Sequence, residues 1–367
     1  MKLFFAIKTL QVKGGAERVF ADLVSALADR GHDVVIATFD HAGERSVYPL
    51  GDGVKKVFLG IGEVVEKTGI GTFFMRLPML RKCVRIEEPD VVVGFTHAMY
   101  VPLSLAMVGL KIPLLASEHI VPAYYEHRRI EFLLLRISAY LVDRFSVLSH
   151  QIGDLYPSAI QSKLVVIPNS VAPAKAFANP KGEGKKTKVI LNVGRLVDFK
   201  DQQTLISAFS LIAADHPNWN LRIIGDGELR DDLEQQVVSK GLQNRICLPG
   251  NSDEIINEYV NAHLFVVSSI YEGFGLVTAE AASHQLPVIG FSDCPGTNEL
   301  IEHDVTGLLV NPDNRVTNLA AGLHELIDND ELRLRMGIAG KKKMVGYAPE
   351  NVYEQWEAVL YSMRKLA

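Results

Sequence analysis

Residues 264–281, LFVVSSIYEGFGLVTAEA, decide the fold. Leu264–Val267 is an uninterrupted apolar run of strand length, the pattern of a parallel strand buried on both faces. A turn with two glycines, Gly273 and Gly275, follows, and then an Ala-rich stretch of helical character carrying Glu280. A glycine turn that feeds a helix presents unpaired backbone N–H groups and the positive end of the helix dipole. That is an anion site, and phosphate is its usual occupant. Glu272 and Glu280 flank it. Carboxylates do not bind phosphate, but they do bind sugar hydroxyls. Backbone donors for a diphosphate with a carboxylate on either side suit a nucleotide-sugar. On spacing alone, Glu272 reads equally as a solvated loop residue and Glu280 as a helix-surface charge.

The same alternation of short apolar runs and helical stretches fills the chain. In the first half the runs are Leu3–Ile7, Val34–Thr38, Val91–Phe95, Leu114–Ser117, Phe145–Leu148 and Leu164–Ile167. In the second they are Val189–Val193, Leu221–Ile224, Ile246–Leu248, Leu264–Val267, Val288–Ile289 and Leu308–Val310. They lie too far apart for hairpins, so the pattern predicts α/β architecture with doubly wound parallel sheets. Pro168-Asn169-Ser170 closes the first set, and residues 172–187 are rich in Pro, Gly and Lys. The expected organisation is a first domain over 1–170, a linker over 171–187, a second domain over 188–348 and a terminal segment over 349–367. Two such domains would face a cleft.

Composition narrows the function. With 48% hydrophobic and 22% charged residues in 367, the chain is an ordinary globular protein with ample core. Its three cysteines are scattered and include no Cys-x-x-Cys, which argues for a reducing compartment and against a zinc or disulfide scaffold. No signal peptide and no transmembrane run is evident. The net charge of −5 is uneven, with residues 1–170 at +2 and the rest at −7. An acidic second half argues against nucleic acid as a partner.

Further candidate ligand groups sit where strands end. Gly14-Gly15-Ala16-Glu17-Arg18 follows the first run, either as a close approach to a ligand or as a tight turn. Ser117-Glu118-His119 follows Leu114–Ala116, and His97 follows Val91–Phe95. Gly194-Arg195 and then Lys200 follow Val189–Val193. Arg offers a planar fork and Lys a point charge to a diphosphate. Gly225-Asp226-Gly227 is a turn at the same edge. Asp328-Asn329-Asp330 has the form of a metal motif but lies ahead of Glu331-Leu332-Arg333, as a helix cap would.

Taken in order, the Gly-Gly loop, Ser-Glu-His, Gly-Arg-Leu-x-x-x-Lys and the pair Glu272 and Glu280 resemble family 4 of the retaining glycosyltransferases. The resemblance spans nearly the whole chain. It implies the GT-B fold, two Rossmann-like domains, with the final helix crossing back to the first. It implies transfer of a hexose or N-acetylhexosamine from a UDP-sugar; with Asp328-Asn329-Asp330 read as a cap and no other ligand cluster in the sequence, no metal and no cofactor are expected. Arg195, Lys200 and the N–H groups of Gly273, Phe274, Gly275 and Leu276 would bind the diphosphate. Glu280 would hold the ribose, and Glu272 and His119 the donor sugar. Gly14 and Gly15 would face the donor phosphates. Related enzymes often have Pro-Asn-Gly-Val-Asp where this chain has Pro168-Asn169-Ser170-Val171-Ala172, and Gly-Gly near Gly296.

Two basic, apolar-interleaved segments set the expected acceptor side. Residues 73–85 carry Arg76, Arg81, Lys82 and Arg85, and residues 124–140 carry His127, Arg128, Arg129 and Arg136. Such segments can be core-packed helices with a solvated basic edge, and Pro78 weakens a continuous helix through the first, or they can lie on anionic lipid or grip a lipid diphosphate. The expected partners are therefore a lipid-linked glycan acceptor and the cytoplasmic face of the inner membrane. Close-looking relatives extend polyprenyl-diphosphate oligosaccharides and include N-acetylgalactosamine transferases. The rival readings are a UDP-sugar epimerase of similar fold and a non-enzymatic nucleotide-sugar-binding membrane adaptor.

Overall fold

The computed structural model describes residues 1–61, 69–125 and 128–364. Its contacts divide the chain into two units, Met1–Ser170 with Pro349–Ala367, and Val171–Ala348. Each is built on one sheet whose paired strands are all parallel.

Unit 1 holds β1 (Lys2–Ala6), β2 (Asp33–Thr38), β3 (Val54–Phe58), β4 (Val91–Phe95), β5 (Leu114–Ser117), β6 (Arg144–Val147) and β7 (Leu164–Val166). They lie in the order β3-β2-β1-β4-β5-β6-β7. The inner strands are largely apolar, and every residue of β4 is buried, because helices cover both faces. β3 is the strand that the apolar pattern does not signal. Its sequence VKKVF exposes Lys55 and Lys56, as suits an edge strand that must not pair with another chain. The helix Gly15–Asp29 buries Val19, Phe20, Leu23, Val24 and Leu27 at helical spacing. Each such side chain contributes about 1.5–3 kcal/mol on burial. The terminal helix Pro349–Arg364 packs in this unit through Val352, Trp356, Leu360 and Met363. The Trp356 ring lies 6.3 Å from Phe5 and 6.5 Å from Phe95, and Glu357 bonds Arg30 (2.7 Å) and His32 (2.9 Å).

Unit 2 holds β8 (Lys188–Val193), β9 (Trp219–Ile224), β10 (Ile246–Gly250), β11 (Leu264–Val266), β12 (Val288–Phe291) and β13 (Gly307–Val310), in the order β10-β9-β8-β11-β12-β13. Residues 171–187 are not a free linker. The Ala178 N–H donates to His284 O (2.9 Å), the Ala174 N–H to Ser283 Oγ (3.1 Å), and the buried Arg333 guanidinium to Pro180 O (2.7 Å). In each sheet the strand order reverses once, between β1 and β4 and between β8 and β11, while the strands stay parallel. Open α/β sheets bind ligands in the crevice beyond the carboxyl ends of strands at such a switch point.

Candidate active site

In unit 2 the two loops at the switch point carry the expected donor residues. Gly194, Arg195 and Lys200 follow β8, and Glu272 to Leu276 follow β11. The fold joins them directly: Lys200 Nζ lies 2.5 Å from Glu272 Oε1, with both side chains only 15% and 11% exposed. Ser269 Oγ donates to the same Glu272 oxygen (2.7 Å), and Ser268 Oγ donates to Lys200 O (2.7 Å). The backbone ties match, with the Ile270 N–H donating to Phe199 O (2.8 Å) and the Phe199 and Tyr271 rings stacked 4.9 Å apart.

The helix Leu276–Ser283 starts at this loop, with Gly275 as its N-cap at φ 81°. That left-handed conformation favours glycine. The Thr278 and Ala279 N–H groups turn back to Gly275 O (2.9 and 3.0 Å). The first-turn N–H groups of Leu276 and Val277 have no carbonyl within the helix to reach, which leaves them for an anion. Gly296, at φ 86°, lets a second loop close on this one. A Cβ there would sit 2.5 Å from Glu272 O, so the lone glycine serves a close backbone approach.

Arg195 is exposed, and its carbonyl accepts from Gln202 Nε2 (3.0 Å). Gly225, at φ 140°, packs against the same loop, where a Cβ would meet Gly194 O at 1.9 Å. Asp226 pairs with Arg230 (2.9 Å), whose guanidinium also bonds Leu248 O (3.1 Å), so this carboxylate braces its turn. Glu280 Oε2 accepts from the hydroxyl of buried Tyr259 (2.9 Å), and its carbonyl lies 2.8 Å from His284 Nδ1.

Two residues that matter here left no mark in the sequence. Tyr259 orients Glu280. Arg315 stacks on Phe291, with its guanidinium carbon 3.6 Å from the ring centroid. It bonds Asp201 (3.1 Å), Ser268 O (2.8 Å), Ser269 O (3.3 Å) and Asp293 (3.2 Å), so it buttresses the strand end that leads to Glu272. The Asp201–Arg315 separation is 114 positions, beyond the reach of any local pattern.

In unit 1, Gly14 is the extended N-cap of the helix Gly15–Asp29, and Gly15 is exposed. Both follow β1 at the switch point. His119 follows β5. Its ring lies 4.0 Å from that of Phe95, Nε2 is 3.0 Å from Ser117 Oγ, and burial pushes its pKa down to about 3, so the imidazole is neutral. The neighbouring Glu118 is buried. It accepts from the hydroxyls of Tyr100 (2.6 Å) and Tyr125 (2.9 Å) and from the N–H groups of His119 (2.9 Å) and Ile120 (3.0 Å), which positions His119. His97 opens the helix His97–Ala106 and packs on Tyr125 (5.4 Å).

The basic segments divide. Arg76 is buried, its guanidinium 3.9 Å from the Phe39 ring centroid and bonded to Ile61 O (3.2 Å). Its expected place on a membrane- or acceptor-facing edge is corrected: the side chain packs inward because its stem and planar head fill core volume. Arg81 donates to Ala106 O (2.7 Å) and Val108 O (2.8 Å), capping the helix His97–Ala106. Lys82, Arg85 and Arg129 are exposed, while Arg128 pairs with Glu131 (3.2 Å) and stacks on Tyr124 (4.3 Å). His127 lies outside the described residues. Asn329, in the Asp-x-Asp stretch, is a helix cap, its side chain accepting from the Leu332 N–H (2.9 Å).

Comparison with known proteins agrees with this architecture. Two family models cover most of the chain, "Glycosyltransferase Family 4" over residues 13–175 and "Glycosyl transferases group 1" over residues 174–343. A Campylobacter jejuni protein, GalNAc-alpha-(1->4)-GalNAc-alpha-(1->3)-diNAcBac-PP-undecaprenol alpha-1,4-N-acetyl-D-galactosaminyltransferase, is 29% identical over 361 residues, covering 97% of each chain. The sucrose-phosphate synthase of Thermosynechococcus elongatus superposes with a TM-score of 0.87 at 18% identity, covering 100% of both chains. Anabaena HepE in complex with UDP superposes with a TM-score of 0.79 at 19% identity, covering 99% of this chain and 100% of its own. With the family signatures in order and both parallel sheets in place, the chain belongs to glycosyltransferase family 4 and has the GT-B fold.

Proposed function

We propose that this enzyme transfers a hexose or N-acetylhexosamine from a UDP-sugar to a polyprenyl-diphosphate-linked glycan, with retained configuration and without a metal. The observation that carries the reading is the Lys200–Glu272 pair at the switch point, beside the free N–H groups of the helix Leu276–Ser283. In this reading the donor exchanges with that pair. Its diphosphate takes Lys200, Arg195 and the Gly273 to Leu276 N–H groups, and its sugar hydroxyls take Glu272. Glu280, held by Tyr259, accepts from the ribose hydroxyls. Gly14, Gly15 and His119 are assigned to the donor from unit 1 by family resemblance, and the neutral His119 would act as a hydrogen-bonding group. Preorganised cations and N–H dipoles stabilise the charge that grows on the departing diphosphate. The acceptor oxygen bonds to the anomeric carbon on the face that the diphosphate leaves, the carbon–oxygen bond to phosphate breaks, and a phosphate oxygen takes the acceptor proton.

UDP as the nucleotide is supported by the HepE complex, and a lipid-linked acceptor by the name of the Campylobacter relative. No described helix is long and apolar enough to cross a membrane. Two helices of unit 1 carry side chains that suit attachment to an anionic membrane surface, which this reading takes to be the cytoplasmic face of the inner membrane. Ile70–Glu87 exposes Phe74 (62%), Met75 (64%) and Ile86 (67%) beside Lys82 and Arg85. Arg129–Leu141 exposes Ile130 (76%), Leu133, Ile137 and Tyr140 beside Arg129 and Arg136.

The test is calorimetry with UDP, GDP and ADP in EDTA, on wild type and Glu280→Ala, followed by turnover of UDP-sugars with a polyprenyl-diphosphate glycan. The expected result is selective UDP binding, weakened in the variant, and sugar transfer that needs acceptor. Failure of a folded chain to bind any nucleotide would refute the site. Isolation of a covalent sugar–enzyme intermediate would refute the single-step chemistry.

A further inference from the structure

The helices Gln202–Ile212 and Arg315–Asp328 pack side by side in unit 2 and begin together at the candidate site, where Asp201 bonds Arg315. Their far ends also meet. His216, just beyond Ile212, is buried. Its N–H donates to Ile212 O (3.2 Å), and its carbonyl accepts from Arg245 (2.7 Å) and the Trp219 N–H (3.1 Å), so its backbone is fixed. Its Nε2 lies 2.8 Å from His324 Nδ1, and its Nδ1 lies 3.6 Å from Asp328 Oδ1. His324 and Asp328 stand one turn apart on their helix, with Nε2 and Oδ2 separated by 3.5 Å.

We propose that His216, His324 and Asp328 bind a divalent transition-metal ion of the zinc class, which clamps the far ends of these two helices. One ligand atom from each residue lies within 4.8 Å of the others. An N–H···N bond accounts for the two histidines alone. It leaves Asp328 at 3.5 and 3.6 Å, too long for a hydrogen bond. The ring nitrogens nearest Asp328 are not the two that face each other, so a shared ion would take a single nitrogen from each ring, and such a set, one atom per residue, lies within 4.8 Å. Zinc bonds of about 2.0–2.1 Å in tetrahedral geometry put neighbouring ligand atoms roughly 3.3 Å apart. A set spread over as much as 4.8 Å would need to close toward that spacing by side-chain rotation. The His324 side chain is 52% exposed and has the room to do so. Two imidazole nitrogens and one carboxylate oxygen form a zinc-type set with water completing the shell, whereas magnesium and calcium favour oxygen. The ion would tie the helix pair opposite the Asp201–Arg315 contact and would take no part in sugar transfer.

The test uses the full chain stripped with EDTA, dialysed and titrated with Zn2+ or Mg2+, read by calorimetry and by thermal unfolding. The expected result is one Zn2+ per chain at this site with a raised Tm, and no response to Mg2+. His324→Ala and Asp328→Asn, both at exposed positions, should each weaken Zn2+ binding by about tenfold or more and remove the Tm increase. Absence of Zn2+ binding would overturn the proposal. So would undiminished binding in both variants, since that would place the ion on others of the eleven histidines.

Discussion

Replacing Arg315 by alanine should loosen unit 2 from the candidate site outward. The side chain is 20% exposed and pairs with Asp201, which is 17% exposed. Removal leaves that carboxylate without this cation and the carbonyls of Ser268 and Ser269 without their side-chain donor. Breaking a fully buried pair costs about 3–5 kcal/mol and an exposed one about 0–1. At this partial burial the expected loss is about 2–3 kcal/mol. Hydrogen exchange reads it locally, so the chain need not unfold in one step. Protected amides of the helix Gln202–Ile212 should exchange about 30- to 150-fold faster, and UDP affinity should fall because Ser268 and Ser269 lead into the Glu272 loop. Arg315→Lys keeps the charge but loses the fork, and should restore less than half of the protection. A change below about threefold in Arg315→Ala would refute the reasoning. Full rescue by lysine would show that charge, and not the fork, holds the loop.

Two further outcomes follow from burial and charge. Lys82→Gln with Arg85→Gln should reduce partitioning onto anionic vesicles by about 30-fold at low salt, at roughly 1 kcal/mol per basic residue, and unchanged partitioning would remove unit 1 as the docking face. Burial pushes His263 from its ordinary 6.5 to about 4, and its Nδ1 accepts the Val189 N–H (3.0 Å), which requires the neutral ring. The unfolded chain therefore takes up this proton first as the pH falls. Stability is full above 6.5 and declines by about 1.4 kcal/mol per pH unit down to about 4, a loss on the order of 3 kcal/mol. Amide exchange in unit 2 between pH 7 and 4 should show this loss in wild type and a flatter profile in His263→Gln; matching profiles would sink the assignment.

The chain's local signals were strong where one residue's neighbours in sequence are also its neighbours in space. Apolar runs marked the central strands because a strand covered on both faces tolerates little else. The Gly273–Gly275 turn, the helix that follows it and the Asn329 cap were readable for the same reason, since each is closed by contacts within a few residues. β3 escaped because an edge strand has one solvated side and no apolar signature. Strand order escaped too, and with it the switch points that bring Lys200 to Glu272, 72 positions away. Charge type misled at Arg76: a run of basic residues does not say which one turns inward, and only packing against Phe39 and Ile61 decides that. Arg315, Tyr259 and the His216–His324–Asp328 cluster belong to the same class. Their partners are chosen by how helices dock on a sheet, and that docking optimises burial across the whole domain, so no stretch of sequence encodes it alone.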